Sequence, residues 1–125
     1  AGELERWQDS PTDLLFYALI LYAKDAEVGR WLQDVNERAL DYLEEFWREW
    51  LPRVGRRCRA GVTERQLGAV IRGTLAVLGL EGRIPGSPTR DRVTITDPDP
   101  RLAGEWPLAA LAVEAVFMGL TELAG

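Results

Sequence analysis

Six side chains on the first two predicted helices have the residue types and the spacing of an apolar ligand pocket. Flat aromatic walls with a few polar groups are a common lining for such pockets. In this interpretation a tyrosine and an asparagine orient the ligand, and the other four side chains form the walls. Ordinary core packing is the alternative, because the two helices that carry these residues must face each other. The candidate residues are Phe16, Tyr17, Trp31, Asn36, Phe46 and Trp50.

The remaining polar residues do not form a catalytic or metal-binding set. The sequence of 125 residues has no histidine, which removes the commonest general base and the commonest zinc ligand. Its single cysteine, Cys58, excludes an internal disulfide and a thiolate metal cluster. Asp97 and Asp99, in "TDPDP", are an ordinary turn signal. We therefore expect no enzymatic activity, no metal and no cofactor.

Two groups of charged residues have alternative interpretations. A basic cluster follows the second predicted helix, where cations complement the helix dipole, and phosphate contact is the alternative. Glu114 is the lone charge in the middle of an almost wholly apolar segment. If it is buried it needs an arginine partner or a raised pKa, whereas an exposed position at the helix edge needs neither. The basic cluster consists of Arg53, Arg56, Arg57 and Arg59.

The overall charge argues against nucleic-acid binding by this chain itself. The formal net charge is -5 and the isoelectric point is about 4.8, whereas DNA-binding domains usually carry a basic surface. No apolar run approaches the roughly 20 residues that span a bilayer. We expect a cytoplasmic protein with no membrane contact.

Helix signals occur throughout the chain and position these candidate residues. "SPTD", which begins at Ser10, predicts the start of a short helix over 11–23 that is apolar on every side and therefore buried. Asp25 caps a long amphipathic helix over 25–51, which Pro52 should kink or end. A further turn or two of helix is expected before Gly61. The apolar arc of the long helix is Val28, Leu32, Val35, Ala39, Leu43, Phe46 and Trp50.

Two further helices complete an all-α prediction. Thr63 and Gln66 make a capping box for a helix over 63–80, and Pro107 begins a last helix over 107–124. The segment between them is rich in proline and glycine, and only "RVTIT" has strand character, so it is expected to be partly mobile or to form a small hairpin. The predicted fold is an all-α bundle of four to five helices, with residues 1–125 as a single domain.

The last two predicted helices lack a proper solvent face, which predicts a homodimer. Large apolar patches are rare on soluble monomers, and pairing these helices with those of a second copy in a four-helix interface would cover them. Alternatively, the long loop or a missing N-terminal part covers them. The predicted interface residues are Ala69, Gly73, Ala76, Leu80, Ala112, Val116 and Leu120.

The order of these segments resembles the C-terminal regulatory domain of TetR-family transcriptional repressors. The resemblance rests on "DAEVGRWLQDVNERALDYLEEFWREWLPRVGRRCRAG", followed by "TERQLGAVIRGTLAVLGLEG" and "PLAALAVEAVFMGLTEL". It departs from the family in the long loop before the last helix. The chain opens without methionine, in "AGELERWQD", and is expected to be a fragment that lacks the DNA-binding helix-turn-helix.

The resemblance implies an effector-sensing and dimerisation domain. A small apolar molecule would bind between the helices of each subunit and control DNA binding, which the missing N-terminal domain performs. A small homodimeric helical interaction module without a ligand is the alternative function.

Overall fold

The structure is a computed structural model that describes residues 16–125. This part of the chain contains four helices and two small antiparallel sheets of two strands each. The fold is 63% helical but mixed α/β, so the all-α prediction is wrong. The elements are α1 (16–19), α2 (Ala26–Arg53), β1 (Arg56–Cys58), α3 (Glu64–Glu81), β2 (Arg92–Ile95), β3 (Gly104–Pro107), α4 (Leu108–Leu120) and β4 (Thr121–Leu123), with 3-10 turns at Ile20–Tyr22 and Pro88–Arg90.

The first sheet replaces helix that the sequence predicts at two places, after Pro52 and at the end of the last helix. Gly55 has a φ of 70°, a conformation that ends the helical path and that glycine adopts without strain. The chain then runs as β1 antiparallel to β4, with Cys58 opposite Thr121. The two strands come from distant parts of the chain. The spacing of apolar residues within either segment therefore does not predict that they pair. The backbone N–H and C=O groups of both segments are satisfied by this partner instead of by helix.

The second sheet confirms the hairpin alternative for the proline-rich and glycine-rich segment. β2 and β3 pair antiparallel, with Val93 opposite Trp106. The indole Nε1 of Trp106 donates a 2.9 Å hydrogen bond to the backbone carbonyl of Leu102, which fixes the connection between the strands. The segment that sequence reasoning left without regular structure is therefore tied to the start of α4.

The local capping signals of the long helices are confirmed. The Asp25 side chain accepts hydrogen bonds from the backbone N–H groups of Glu27 and Val28 at the start of α2. Thr63 and Gln66 form the full capping box of α3. Pro52 lies in the last turn of α2, which ends at Arg53. The "SPTD" start signal lies outside the described residues.

The end of the first predicted helix is exposed, which corrects the expectation of burial on all sides. Ile20, Leu21 and Tyr22 form a 3-10 turn, and Leu21 is 84% exposed. The backbone turns here toward Asp25, whose N–H donates to the carbonyl of Tyr22 at 3.0 Å. A turn between two helices lies at the protein surface, and its apolar side chains follow the backbone outward.

The buried face of α2 overlaps the predicted arc at Leu32 and extends beyond it. Leu32, Leu40 and Leu51 are its buried side chains. Phe46 and Trp50, which the arc places in the core, are 36% and 42% exposed. The long helix therefore leaves an aromatic edge uncovered by the rest of the chain.

Ion pairs between α2 and α3 lie at the edge of the contact between the two helices. Arg65 on α3 donates to Asp41 at 2.8 Å and also pairs with Glu37, while both carboxylates remain largely exposed. The hydrogen bond to Asp41 raises the pKa of Arg65 further above its ordinary value. Amphipathic periodicity treats Glu37 and Asp41 as a solvent face and therefore misses this contact.

The core forms where α2, α3 and α4 meet. Its buried side chains are Leu51, Leu67, Ile71 and Phe117. The helices α2 and α3 approach each other closely at Gly68, where a Cβ atom would lie 2.8 Å from the Cβ of Leu43. In the described part of the chain, the helices are too short or too polar to cross a membrane.

Candidate ligand-binding cleft

The six residues predicted to line a single pocket fall into separate groups. The Phe16 ring contacts the rings of Tyr17 and Trp31, with centroids 5.3 Å and 6.5 Å away. At the other end of α2, the rings of Phe46 and Trp50 have centroids 6.0 Å apart. Trp31 and Phe46 are separated by 15 positions of one helix, or about 22 Å along its axis. No pocket of small-molecule size therefore contains both groups.

Asn36 lies between these groups and has a structural partner. Its side-chain oxygen accepts a hydrogen bond from the guanidinium of Arg72 on α3, and both residues are partly buried. The contact joins α2 to α3 near the middle of both helices. Asn36 therefore fits the alternative interpretation, in which the six residues only pack the helices together. Its side chain does not line the cleft described below.

A cleft opens between the C-terminal half of α2 and the middle of α4. Its volume is about 250 Å³, slightly below the range of about 300–1,000 Å³ typical of sites for drug-sized ligands. One side is formed by three aromatic residues of α2 and the other by Phe117, whose ring centroid lies 5.5 Å from that of Trp47. The residues that line it are Phe46, Trp47, Trp50, Val54, Ile71, Arg101, Val113, Glu114 and Phe117. We call this site the α2–α4 cleft.

A larger depression lies on the outer side of α2. Its volume is about 590 Å³, but only side chains of α2 line it, between Tyr42 and Trp50. A depression made by one helix has no opposing wall and cannot enclose a ligand. The α2–α4 cleft is smaller, yet its lining comes from three helices and the loop that carries Arg101, so it is the better candidate for a binding site.

The polar groups of the α2–α4 cleft are an ion pair. Arg101, in the loop between β2 and β3, pairs through its Nε with the carboxylate of Glu114 on α4. The Glu114 side chain is 21% exposed, so the first alternative from the sequence, a largely buried acid with an arginine partner, is the one observed. The Arg101 guanidinium also lies over the ring of Phe117, 5.3 Å from its centroid.

Sequence reasoning identified only part of this lining. Phe46 and Trp50 were predicted as pocket walls, and they do line the cleft. Trp47 and Phe117 also line it, and neither is among the six predicted residues. Arg101 could not be paired with Glu114 from the sequence, because the β2–β3 hairpin determines where the loop lies. The one available signal was the isolated charge of Glu114 in an apolar helix.

The arginines of the basic cluster form ion pairs and hydrogen bonds within the chain. Arg53 pairs with Glu49 at 2.9 Å on its own helix, and Arg57 pairs with Glu122 on β4 at 3.0 Å. Arg59 donates to the backbone carbonyl of Gly119 at 2.9 Å. This carbonyl belongs to the last turn of α4, so Arg59 complements the dipole of α4 and not that of the helix it follows.

Arg56 is the buried member of this cluster. It is 8% exposed, and its guanidinium donates to the hydroxyl and to the carbonyl of Thr121. Within residues 16–125, its recorded partners are these two oxygen atoms and the ring of Phe117. Nothing in the local pattern of the four neighbouring arginines distinguishes Arg56 as the one that lies inside the fold.

The residues predicted for a dimer interface differ widely in exposure. Ala76 is only 6% exposed, which corrects its assignment to a partner surface: α3 packs against both α2 and α4 and buries a wider arc than predicted. Leu80 is 43% exposed and Gly73 borders open space. Ala69 and Ala112 are partly buried, and Val116 and Leu120 pack partly against the core of their own chain.

An exposed apolar surface nevertheless remains on α3. Val70 and Val77 are 44% and 60% exposed, and they lie on the same side of the helix as Gly73 and Leu80. Ala115 and Gly119 are exposed on α4. We call the group of Val70, Gly73, Val77 and Leu80 the α3 face. It is narrower than the predicted interface and displaced from Ala76.

No family model, curated protein or solved structure matches this chain. The resemblance to TetR-family regulatory domains therefore rests on the sequence pattern.

Proposed function

We propose that the chain is the effector-sensing and dimerisation domain of a TetR-like transcriptional regulator. The observation that carries the proposal is the α2–α4 cleft, which combines four aromatic walls with a single ion pair. A small, largely apolar molecule is the ligand that such a lining favours. DNA binding would belong to a helix-turn-helix domain elsewhere in the protein.

The position of α4 provides a physical route from ligand to partner subunit. Val113, Glu114 and Phe117 of α4 line the cleft, while Ala115 and Gly119 of the same helix are exposed. A ligand that binds better when α2 and α4 are further apart would favour that arrangement by its difference in affinity. If α4 also contacts a second subunit, the same shift changes the spacing of the two subunits.

The alternative is a homodimeric helical interaction module without a ligand. The α3 face favours it, because this surface is apolar, exposed and separate from the cleft. The two proposals share the dimer, and only the first requires the cleft to bind a ligand. A binding measurement therefore separates them.

Toluene is a suitable neutral probe, because it is apolar and small enough for a cleft of about 250 Å³. Saturating toluene should quench tryptophan fluorescence and raise the melting temperature, since a ligand that binds only the folded state stabilises it. Trp50→Ala should weaken both responses. Trp31→Ala is the matched control, because Trp31 lies on the same helix with a similar exposed fraction but outside the cleft.

Equal responses in the two variants would show that toluene binds elsewhere. The absence of any saturable response in the wild-type chain would favour the interaction module. In that case the α2–α4 cleft is a packing defect between α2 and α4, and the dimer is the remaining function.

A further inference from the structure

We infer that the Arg101 guanidinium occupies a cation position in the wall of the α2–α4 cleft, and that the natural ligand is a small planar organic cation that displaces it from Glu114. The inference rests on the proposed function and adds the charge and shape of the ligand. An amidine, a guanidine or a protonated aromatic amine belongs to this chemical class.

The Arg101 side chain already makes the contacts that such a ligand would make. Its guanidinium is planar, pairs with the Glu114 carboxylate and lies 5.3 Å from the Phe117 ring centroid. Aromatic faces attract cations through the ring quadrupole, and the attraction grows when the site is shielded from water. A carboxylate beside four aromatic side chains is therefore a recognition site for a flat cation, and the protein fills it with its own.

The two members of the ion pair differ in how readily they can move. Glu114 is fixed on α4 with a side chain 21% exposed, whereas Arg101 lies in a loop and its side chain is 38% exposed. The loop backbone is held independently of the guanidinium, because the N–H of Arg101 donates to the Asp99 carboxylate at 2.9 Å. The Arg101 side chain can consequently rotate into solvent while its backbone stays in place.

Charge balance favours a cation over an anion. An incoming cation replaces one positive charge with another, so the neighbouring Arg56, 5.7 Å from the Phe117 centroid, experiences no new repulsion. An anion in the cleft would face Glu114 and would have to share Arg101 with it. Arg56 does not compensate for this, because it is buried and is not among the residues that line the cleft.

Benzamidine, benzamide and benzoate test the inference as three probes of nearly equal shape and different charge. Binding is measured by the change in tryptophan fluorescence. Benzamidine should bind the wild-type chain about tenfold more tightly than benzamide, and benzoate more weakly still. Arg101→Met removes the internal competitor and should tighten benzamidine binding by about tenfold.

Two further variants separate a specific effect from a change in folding. Glu114→Gln should abolish the preference for benzamidine over benzamide. Arg92→Met is the matched control, because it breaks the exposed Arg92–Glu105 ion pair of the β2–β3 hairpin and leaves the cleft intact. It should bind all three probes as the wild type does. Circular dichroism of each variant shows whether the helices are retained.

The possible outcomes distinguish this inference from the proposed function. If benzamide or toluene binds the wild type as tightly as benzamidine, the cleft is a neutral ligand site and the inference is overturned while the proposed function stands. Preferential binding of benzoate also overturns it. If no probe binds the wild type or Arg101→Met, both the inference and the ligand-binding part of the proposed function fail.

Discussion

The Nε of Arg56 donates a 2.8 Å hydrogen bond to the hydroxyl oxygen of Thr121, which lies 65 positions later in the chain. Thr121 is completely buried, and its hydroxyl donates in turn to the carbonyl of Phe117 at 2.7 Å. One side chain thus joins the buried arginine of β1 to the last turn of α4. An unsatisfied buried guanidinium is costly, so this short chain of hydrogen bonds stabilises the fold where the first sheet meets the helices.

Thr121→Val should destabilise the protein by about 2 kcal/mol, the cost expected for a lost hydrogen bond to a charged group. Valine has nearly the same shape and favours strands, so packing and strand preference are largely preserved. The free energy of unfolding is measured by urea denaturation. Thr74→Val is the matched control: the Thr74 hydroxyl donates only to the carbonyl of Val70 on its own helix. An equal loss in both variants would contradict a special role for Thr121.

The thiol of Cys58 should react slowly and only at alkaline pH. Burial, and secondarily the charge of Glu64, raise the pKa of Cys58. Because the thiolate is the reactive form, the alkylation rate with iodoacetamide should reach half its maximum above the ordinary thiol pKa of about 8.5. Glu64→Gln should move this midpoint down. A midpoint at or below that of a free cysteine would contradict the burial of this thiol.

The raised pKa of Cys58 also makes the folded state less stable at alkaline pH. The folded state holds the Cys58 proton more tightly than the unfolded state, so the unfolded state loses its proton first as the pH rises. The contribution of the protonated thiol to the free energy of unfolding is therefore fully present below the ordinary thiol pKa. It is lost as the pH rises through the pKa that Cys58 has in the folded state. Cys58→Ala should remove this part of the alkaline destabilisation and leave the stability profile below about pH 8 parallel to that of the wild type.

Features encoded over a few residues could be predicted from the sequence. The Asp25 cap and the Thr63–Gln66 capping box are such features, because donor and acceptor lie within three positions of each other. The β1–β4 pairing could not be predicted, because it joins segments about 65 positions apart in the chain. No local period in either segment encodes that contact.

Only a small part of the candidate site was predictable, for the same reason. Phe46 and Trp50 were recognised because aromatic residues on an amphipathic helix are visible in the sequence. The side of α2 that faces its neighbours was not, since it depends on contacts with distant parts of the chain. Trp47, which is not among the six predicted residues, lies against Phe117, and the cleft lies at the end of α2 opposite to Phe16.

Two glycines of α3 should respond in opposite ways to alanine. At Gly68 a Cβ atom would lie 2.8 Å from the Cβ of Leu43, so Gly68→Ala must push α2 and α3 apart. Overpacking of this kind costs about 1–3 kcal/mol, less the gain of up to about 1 kcal/mol in helix propensity. Gly73 borders open space, so Gly73→Ala should stabilise the protein through its higher helix propensity, with no overpacking. Thermal melting at low protein concentration measures both, and a stabilised Gly68→Ala would contradict the close helix approach.

Gly73→Arg tests whether the α3 face is the surface through which the chain dimerises. The site is open in the single chain, so an arginine there should leave the fold intact while placing a charge between Val70, Val77 and Leu80. Burying this charge against a second copy without a partner is costly, and we expect a shift from dimer to monomer. Sedimentation velocity measures the shift. Gln33→Arg, at an exposed position of α2, adds the same charge outside the face and should leave the dimer unchanged. A wild-type chain that sediments as a monomer at high concentration, or a Gly73→Arg variant that remains dimeric, would remove the α3 face from the proposed function.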